Sequence, residues 1–332
     1  VEIVDKGSAD PLADSNLFVD ASLVRVSNQR FARASNLTSS FLPVFEPQLF
    51  CSMGKVMDSW ETARHNKKPY DFAFFELKAA SAIEFVYIST QFHLGNQVEF
   101  IEIFGRSENS PWVPLIEKTN LDGHSQYYLP TLKKQICSEI EIRVSPDGGL
   151  SRIGLFKKDV MKHPLAPFGP IPSTKKPLQL LYNQSTISLP PPSIFNAASL
   201  QYGATLLRVT NEHYGPASQV MSPYIPLSMH DGFESARSRT PGHFEELEIQ
   251  LSHTVHIVSI EMDFTFFVNN NPDQVAVFSD GKAVIARCGV KAFAGNTKVF
   301  KDVHFVTNTL KFILYPDGGV NRIRVWGYIS QD

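Results

Sequence analysis

The chain has 332 residues, 43% hydrophobic and 19% charged, with a formal net charge of -2 at pH 7. That length suits two domains, and that composition belongs to a folding chain and excludes bulk disorder. The near-neutral balance gives no electrostatic drive towards nucleic acid or an anionic membrane, and no apolar run reaches the roughly 20 residues that span a bilayer. Cys51, Cys137 and Cys288 are odd in number and form no CxxC, which points to reduced thiols in a cytoplasmic compartment. The opening Val1-Glu2-Ile3-Val4-Asp5 lacks the basic and apolar regions of a signal peptide. Asn36-Leu37-Thr38 and Asn183-Gln184-Ser185 match glycosylation triplets, which arise often by chance.

In chain order, residues 1–19 read as an N-terminal tail. A first copy follows over 20–156. It opens with Val24-Arg25-Val26-Ser27-Asn28-Gln29-Arg30-Phe31 and continues through Asp58-Ser59-Trp60-Glu61-Thr62-Ala63-Arg64. The segments Ile83–Ile88, Phe100–Phe104 and Glu139–Val144 then alternate with period two, which predicts strands. The copy closes on Pro146-Asp147-Gly148-Gly149-Leu150-Ser151-Arg152-Ile153, whose glycines suit a chain reversal. Residues 157–199 carry Pro164, Pro167, Pro170, Pro172, Pro177 and Pro190-Pro191-Pro192, which predicts an extended linker.

Over 200–332 the same order returns. Leu207–Tyr214 answers the opening, Asp231-Gly232-Phe233-Glu234-Ser235-Ala236-Arg237 the central motif, and Pro316–Ile323 the closing turn. Ile257–Met262, Gln274–Phe278 and Lys311–Tyr315 again alternate. Three matches in one order indicate an internal duplication. Short alternating strands without a long amphipathic helix predict an all-β protein of two tandem jelly-roll β-sandwiches.

The repeated polar residues admit two readings. Asp58, Glu61 and Arg64, with Asp231, Glu234 and Arg237, could be turn formers and structural ion pairs. They could equally line a site, because each copy also has an Asn-containing loop after a strand, Ser89–Asn96 and Asp263–Asn270, where a sandwich presents binding residues.

The string Asp58-Ser59-Trp60-Glu61-Thr62-Ala63-Arg64-His65-Asn66, followed by Tyr70-Asp71-Phe72, resembles the allantoicase pattern D-G-W-E-T-R-R-H-N…D-W. Asp231–His243 resembles that family's second-repeat pattern D-G-W-E-T-x-R-S-R-x-P-G-H. Asn28–Phe31 with Ala34–Leu37, and Asp317–Gly319 with Arg322–Tyr328, are similar to its opening and closing motifs. The resemblance implies galactose-binding-like domains, hydrolysis of allantoate to urea and ureidoglycolate, and a homo-oligomer. It makes Asp58, Glu61, Asp231, Glu234 and Asp263 candidate catalytic residues. Arg64, Asn96, Arg237, Arg239 and Asn270 become candidate substrate-binding residues.

Those residue types suit the chemistry. Allantoate carries one carboxylate and two ureido groups on a single carbon, so a guanidinium can clamp the carboxylate bidentately and carboxylates can accept from ureido N–H groups. Loss of urea needs a proton for the departing nitrogen and a base for water or the remaining ureido arm. The histidines His65, His93, His213, His230 and His243 show no recognisable ligand spacing, so no metal site is assigned and the cofactor is left unknown.

Several positions depart from the family pattern. Ser59 and Ala63 replace Gly and Arg, Phe233 replaces Trp, Ser89 replaces Asp, Glu245 replaces Asp, and Asn28 and Asn211 replace the opening Asp. If those groups touched substrate, each lost charge-assisted contact would cost roughly 1.5–3 kcal/mol. The alternative to an active hydrolase is therefore an inactive homologue serving as a structural or protein-interaction module.

Overall fold

The structure is a computed structural model that describes residues 7–51, 54–173, 193–291 and 297–330. Contacts divide the chain into two compact units. One comprises Val1–Leu49 with Lys55–Pro172, and the other Phe50–Gly54 with Ser173–Asp332. Both are all-β; the described residues outside strands form only short 3-10 turns and loops.

In unit one, Asp71–Ser89 and Gln126–Ser145 are the central strands. They pair antiparallel over most of their length, and Ser22–Val26, Phe100–Arg106, Val113–Asn120 and Arg152–Phe156 complete one six-stranded sheet. Inward residues Ala73, Phe75, Ile83, Val86 and Ile88 alternate with outward neighbours, as period two requires. The alternation breaks at the exposed Lys78-Ala79-Ala80, where the register shifts between Glu76 and Ser81. Such an irregularity bends the ribbon, so one long strand serves two stretches of the sandwich. Its first half pairs with Ser22–Val26 and its second with Arg152–Phe156.

Unit two repeats the plan. Glu245–Asp263 and Thr297–Tyr315 are its long central strands, with a register shift between Gln250 and Val255. Thr205–Val209, Gln274–Ser279, Lys282–Gly289, Arg322–Ile329 and Phe195–Asn196 complete the sheet. Each unit encloses its own apolar cluster, one around Trp60, Phe75 and Ile140, the other around Phe233, Ile249 and Phe312. Burying one such side chain contributes about 1.5–3 kcal/mol. Phe18, in the tail segment, lies in the first cluster against Phe75 with ring centroids 4.8 Å apart, and Phe195, in the linker segment, lies in the second. Pro177, the triplet Pro190-Pro191-Pro192 and Asn183 lie outside the described residues.

The closing turns bring distant motifs together. Gly149–Leu150 pairs with Trp60–Glu61, and Gly319–Val320 pairs with Phe233–Glu234. Gly148 and Gly318 take φ values of 145° and 132°, a region that disfavours any side chain. A Cβ on Gly148 would stand 2.4 Å from the Gln97 carbonyl carbon, and one on Gly318 2.6 Å from the Pro272 nitrogen. The two Pro-Asp-Gly-Gly turns are therefore seats pressed against the Asn-containing loops.

Candidate functional site

Each copy builds the same frame around its glutamate. Gly148 N–H donates to Thr62 Oγ1, and Gly318 N–H to Ser235 Oγ, both at 2.9 Å. Asp147 Oδ2 accepts the Asn66 N–H at 3.1 Å, and Asp317 Oδ2 accepts the Ser238 N–H at 2.8 Å. Gly149 N–H and Gly319 N–H donate to the carbonyls of Asn96 and Asn270, each at 2.8 Å. The closing turn thus holds both the segment bearing Glu and Arg and the loop bearing Asn.

Within that frame the side chains meet. Asn96 Nδ2 donates to Glu61 Oε1 at 3.2 Å, and Asn270 Nδ2 donates to Glu234 Oε1 at 3.2 Å. All four residues are buried. Among the described residues Asn96 Oδ1 and Asn270 Oδ1 are buried without a hydrogen-bond partner. Asn270 Nδ2 also donates to Met229 Sδ at 2.9 Å. Arg64 and Arg237, three residues beyond the glutamates, are buried too, and Arg239 is half-buried.

The three candidate aspartates are engaged elsewhere. Asp58 Oδ2 accepts from Arg152 Nη2 at 2.7 Å and from the Val44 N–H at 3.1 Å. Asp231 Oδ2 accepts the N–H groups of Leu227 at 2.8 Å and Ser228 at 3.0 Å. Arg152 and Arg322 complete these braces by donating to the carbonyls of Asp58 and Asp231, each at 2.8 Å. Asp263 Oδ1 accepts the Thr265 N–H at 2.9 Å, a turn-forming bond to its own loop. These are the structural roles that the first of the two readings gives such residues.

The departures from the family pattern fall on similar duties. Ser89 Oγ accepts the Gln91 N–H at 3.2 Å, two residues on, as Asp263 does in its copy. Asn28 Oδ1 accepts the Ala63 N–H at 3.2 Å, and Asn211 Oδ1 the Ala236 N–H at 3.1 Å. An amide oxygen performs that task as well as a carboxylate. Trp60 Nε1 donates to the Asn28 carbonyl at 2.8 Å, whereas Phe233 has no such donor to satisfy. Asp71 accepts from Ser27 Oγ and from Asn66 Nδ2, each at 2.6 Å. Glu245 occupies the matching strand position and accepts from Thr210 Oγ1 and from His243 Nε2. Burial raises the Asp71 pKa above the ordinary carboxylate value, against the pull of hydrogen bonds from Ser27 and Asn66 and of the Lys68 charge.

Sequence reasoning did not single out Asp147, Asp317, Arg152 and Arg322 as frame residues, although all four lie inside the repeated closing motif. Their identity in both copies was the available signal. His93 is wholly buried: a Cβ on Gly149 would stand 2.0 Å from its ring, as one on Gly319 would from the Phe267 ring. Among the described residues no cluster of three His, Cys, Asp or Glu is placed to hold a metal, and no helix is long and apolar enough to cross a membrane.

Comparison with known proteins agrees with this two-copy frame. The family model described as "Allantoicase repeat" matches residues 15–160 and again 195–330. The chain is 29% identical to the allantoicase of Saccharomyces cerevisiae, over 98% of this chain and 96% of that protein. It is 25% identical to a probable allantoicase of Pseudomonas aeruginosa, over 95% of each. Against the crystal structure of the yeast protein it shows 26% identity and a TM-score of 0.39, covering 98% of this chain and 95% of that one. With both repeats matched over most of its length, the chain belongs to the allantoicase family.

Proposed function

We propose that this protein hydrolyses allantoate to ureidoglycolate and urea. The observation that carries the proposal is the duplicated Glu–Asn couple, Glu61 with Asn96 and Glu234 with Asn270, each held at 3.2 Å by a closing turn. Among the substitutions that would argue for a decayed enzyme, Ser89, Asn28, Asn211 and Glu245 each accept a hydrogen bond of a kind that an aspartate could also accept. Ala63 has no such acceptor, and Ala236 stands at the matching place in the other copy.

The chemistry balances around these groups. Water adds its hydroxyl to the central carbon, the bond from that carbon to one ureido nitrogen breaks, and the nitrogen leaves as urea after gaining a proton. Glu61 and Glu234 are the candidate groups for taking the proton from water or from the remaining ureido arm and returning it to the departing nitrogen. Arg64, Arg237 and Arg239 are the candidate clamps for the substrate carboxylate, with which a guanidinium forms two parallel charge-assisted hydrogen bonds.

The test is urea release from allantoate by the purified full chain, with and without added divalent metal. The reading requires urea and ureidoglycolate in equal amounts. No release above background in either condition, where the yeast relative turns over, would return the chain to the inactive alternative.

A further inference from the structure

The loop that carries Asn96 is backed by a residue outside the Glu–Asn couple. Along this loop Phe92 takes a φ of 68° and Gly95 one of 81°. A left-handed phenylalanine is disfavoured by its own Cβ and persists only where its surroundings hold it. Copy one holds the loop from two sides. The closing turn takes the inner end, where Gly149 N–H donates to the Asn96 carbonyl at 2.8 Å. The turn 122–125, just before the strand Gln126–Ser145, takes the outer end. There Thr90 Oγ1 donates to the Asp122 carbonyl at 2.7 Å, and Thr90 N–H to the Ser125 carbonyl at 2.9 Å.

His124 is the centre of that outer hold. Its backbone N–H donates to the His93 carbonyl at 2.7 Å, and its ring Nδ1 lies 2.9 Å from the Phe92 backbone nitrogen. Nε2 lies 2.7 Å from the Gly169 carbonyl oxygen. A backbone N–H can only donate and a carbonyl can only accept. The two partners therefore fix the ring, with the lone pair on Nδ1 and the proton on Nε2. The ring centroid is 5.8 Å from that of Phe92 and 5.2 Å from that of Phe168.

Phe168 and Gly169 belong to the Pro-rich segment that leaves copy one. The same stretch is tied to the start of the strand Gln126–Ser145. Gln126 Nε2 donates to the Ala166 carbonyl at 2.6 Å, and Val160 N–H donates to the Tyr128 hydroxyl at 3.1 Å. This segment thus reaches the Asn96 loop through a single side chain, from Gly169 to His124 and from His124 to the Phe92 backbone.

We propose that His124 is a positioning residue for the Glu61–Asn96 couple, set in its tautomer by the Pro-rich segment. It acts through the Phe92 turn, whose closed form places Asn96 Nδ2 3.2 Å from Glu61 Oε1. The inference rests on the proposed function only where turnover is measured; the hold on the loop is independent of it.

His124→Asn and His124→Gly in the full chain test this. Both replacements tolerate the φ of 51° at this position, but only asparagine offers an oxygen where Nδ1 stood. Hydrogen–deuterium exchange of the amides of residues 91–96 should quicken about tenfold or more in His124→Gly and stay within about threefold of wild type in His124→Asn. Turnover is read in a Glu234→Gln background, so that it reports copy one. There kcat for urea release should fall about tenfold with His124→Gly and recover with His124→Asn, while KM moves by less than about twofold. Exchange unchanged in His124→Gly, no recovery in His124→Asn, or a loosened loop with unchanged kcat would each overturn the proposal. A Glu234→Gln parent that releases no urea would count instead against copy one as a reacting centre, and the exchange rates would then decide whether His124 sets the loop.

Discussion

In copy one a serine hydroxyl caps the Asn-bearing loop, and in copy two an aspartate carboxylate does so, each accepting from the backbone two residues on. A buried aspartate takes hydrogen bonds from a serine and an asparagine in one copy, while a glutamate takes them from a threonine and a histidine in the other. The Glu–Asn couples, by contrast, use the same residue types at the same 3.2 Å in both. The difference teaches where exchange is tolerated. A position that only accepts a backbone N–H can be filled by any short side chain with an oxygen. A position that must offer a carboxylate beside an amide cannot.

The comparison is broken most severely at the closing turns. Gly148→Ala and Gly318→Ala each force a Cβ to 2.4 Å and 2.6 Å from backbone atoms at a positive φ. Each should lower the unfolding free energy by about 3 kcal/mol or more, measured by urea denaturation. A loss below 1 kcal/mol in either would mean that the seat is not rigid. Next come the braces. Arg152→Ala strands Asp58, and Arg322→Ala leaves the carbonyls of Tyr224 and Asp231 without their donor. Losses of about 2–4 kcal/mol are expected, equal between copies to within roughly 1 kcal/mol.

Smaller effects sharpen the same contrast. Asp263→Ser should leave urea release within about threefold of wild type, because Ser89 already does that work in copy one. A loss of a hundredfold would instead restore Asp263 as a catalytic carboxylate. For Asp71 the folded pKa is raised, so its contribution to stability is fully present below about 3.8 and is lost as pH rises through the folded value. Compared by denaturation across that window, Asp71→Asn should gain on wild type as pH rises; a constant offset would contradict the shift. Burial pushes the Cys137 thiol up to about 11, while Cys51 and Cys288 are partly accessible. At pH 8 only on the order of one Cys137 in a thousand is thiolate, so two thiols should react quickly with a disulfide reagent and one slowly.

Much of this architecture was legible in the sequence, and the misses have physical causes. Period-two alternation located Ile83–Ile88 and Glu139–Val144, but not that each belongs to a strand of 19 or 20 residues, because exposed stretches, Lys78-Ala79-Ala80 in the first and Leu132-Lys133-Lys134 in the second, interrupt the pattern. Ser22–Val26 is an edge strand whose register shifts between Leu23 and Arg25, so its apolar Leu23, Val24 and Val26 do not alternate with period two. Phe18 and Phe195 fall in segments that read as tail and linker, since one aromatic residue says nothing of what it packs against. At the site, the motif identified Asp58 and Glu61 together. Only the hydrogen bonds distinguish a carboxylate that braces a loop through Arg152 from one that faces Asn96, because spacing along the chain is the same whichever task a carboxylate performs.

The most direct measurement is urea release from allantoate by Glu61→Gln and Glu234→Gln, in proteins whose unfolding midpoints match wild type. Glutamine keeps the shape and an oxygen able to accept from Asn96 or Asn270, but cannot carry a proton between water and the leaving nitrogen. A loss of about a hundredfold or more in kcat for at least one variant is the expected result. Rates within twofold of wild type for both would contradict the assignment of the Glu–Asn couples as the reacting centre.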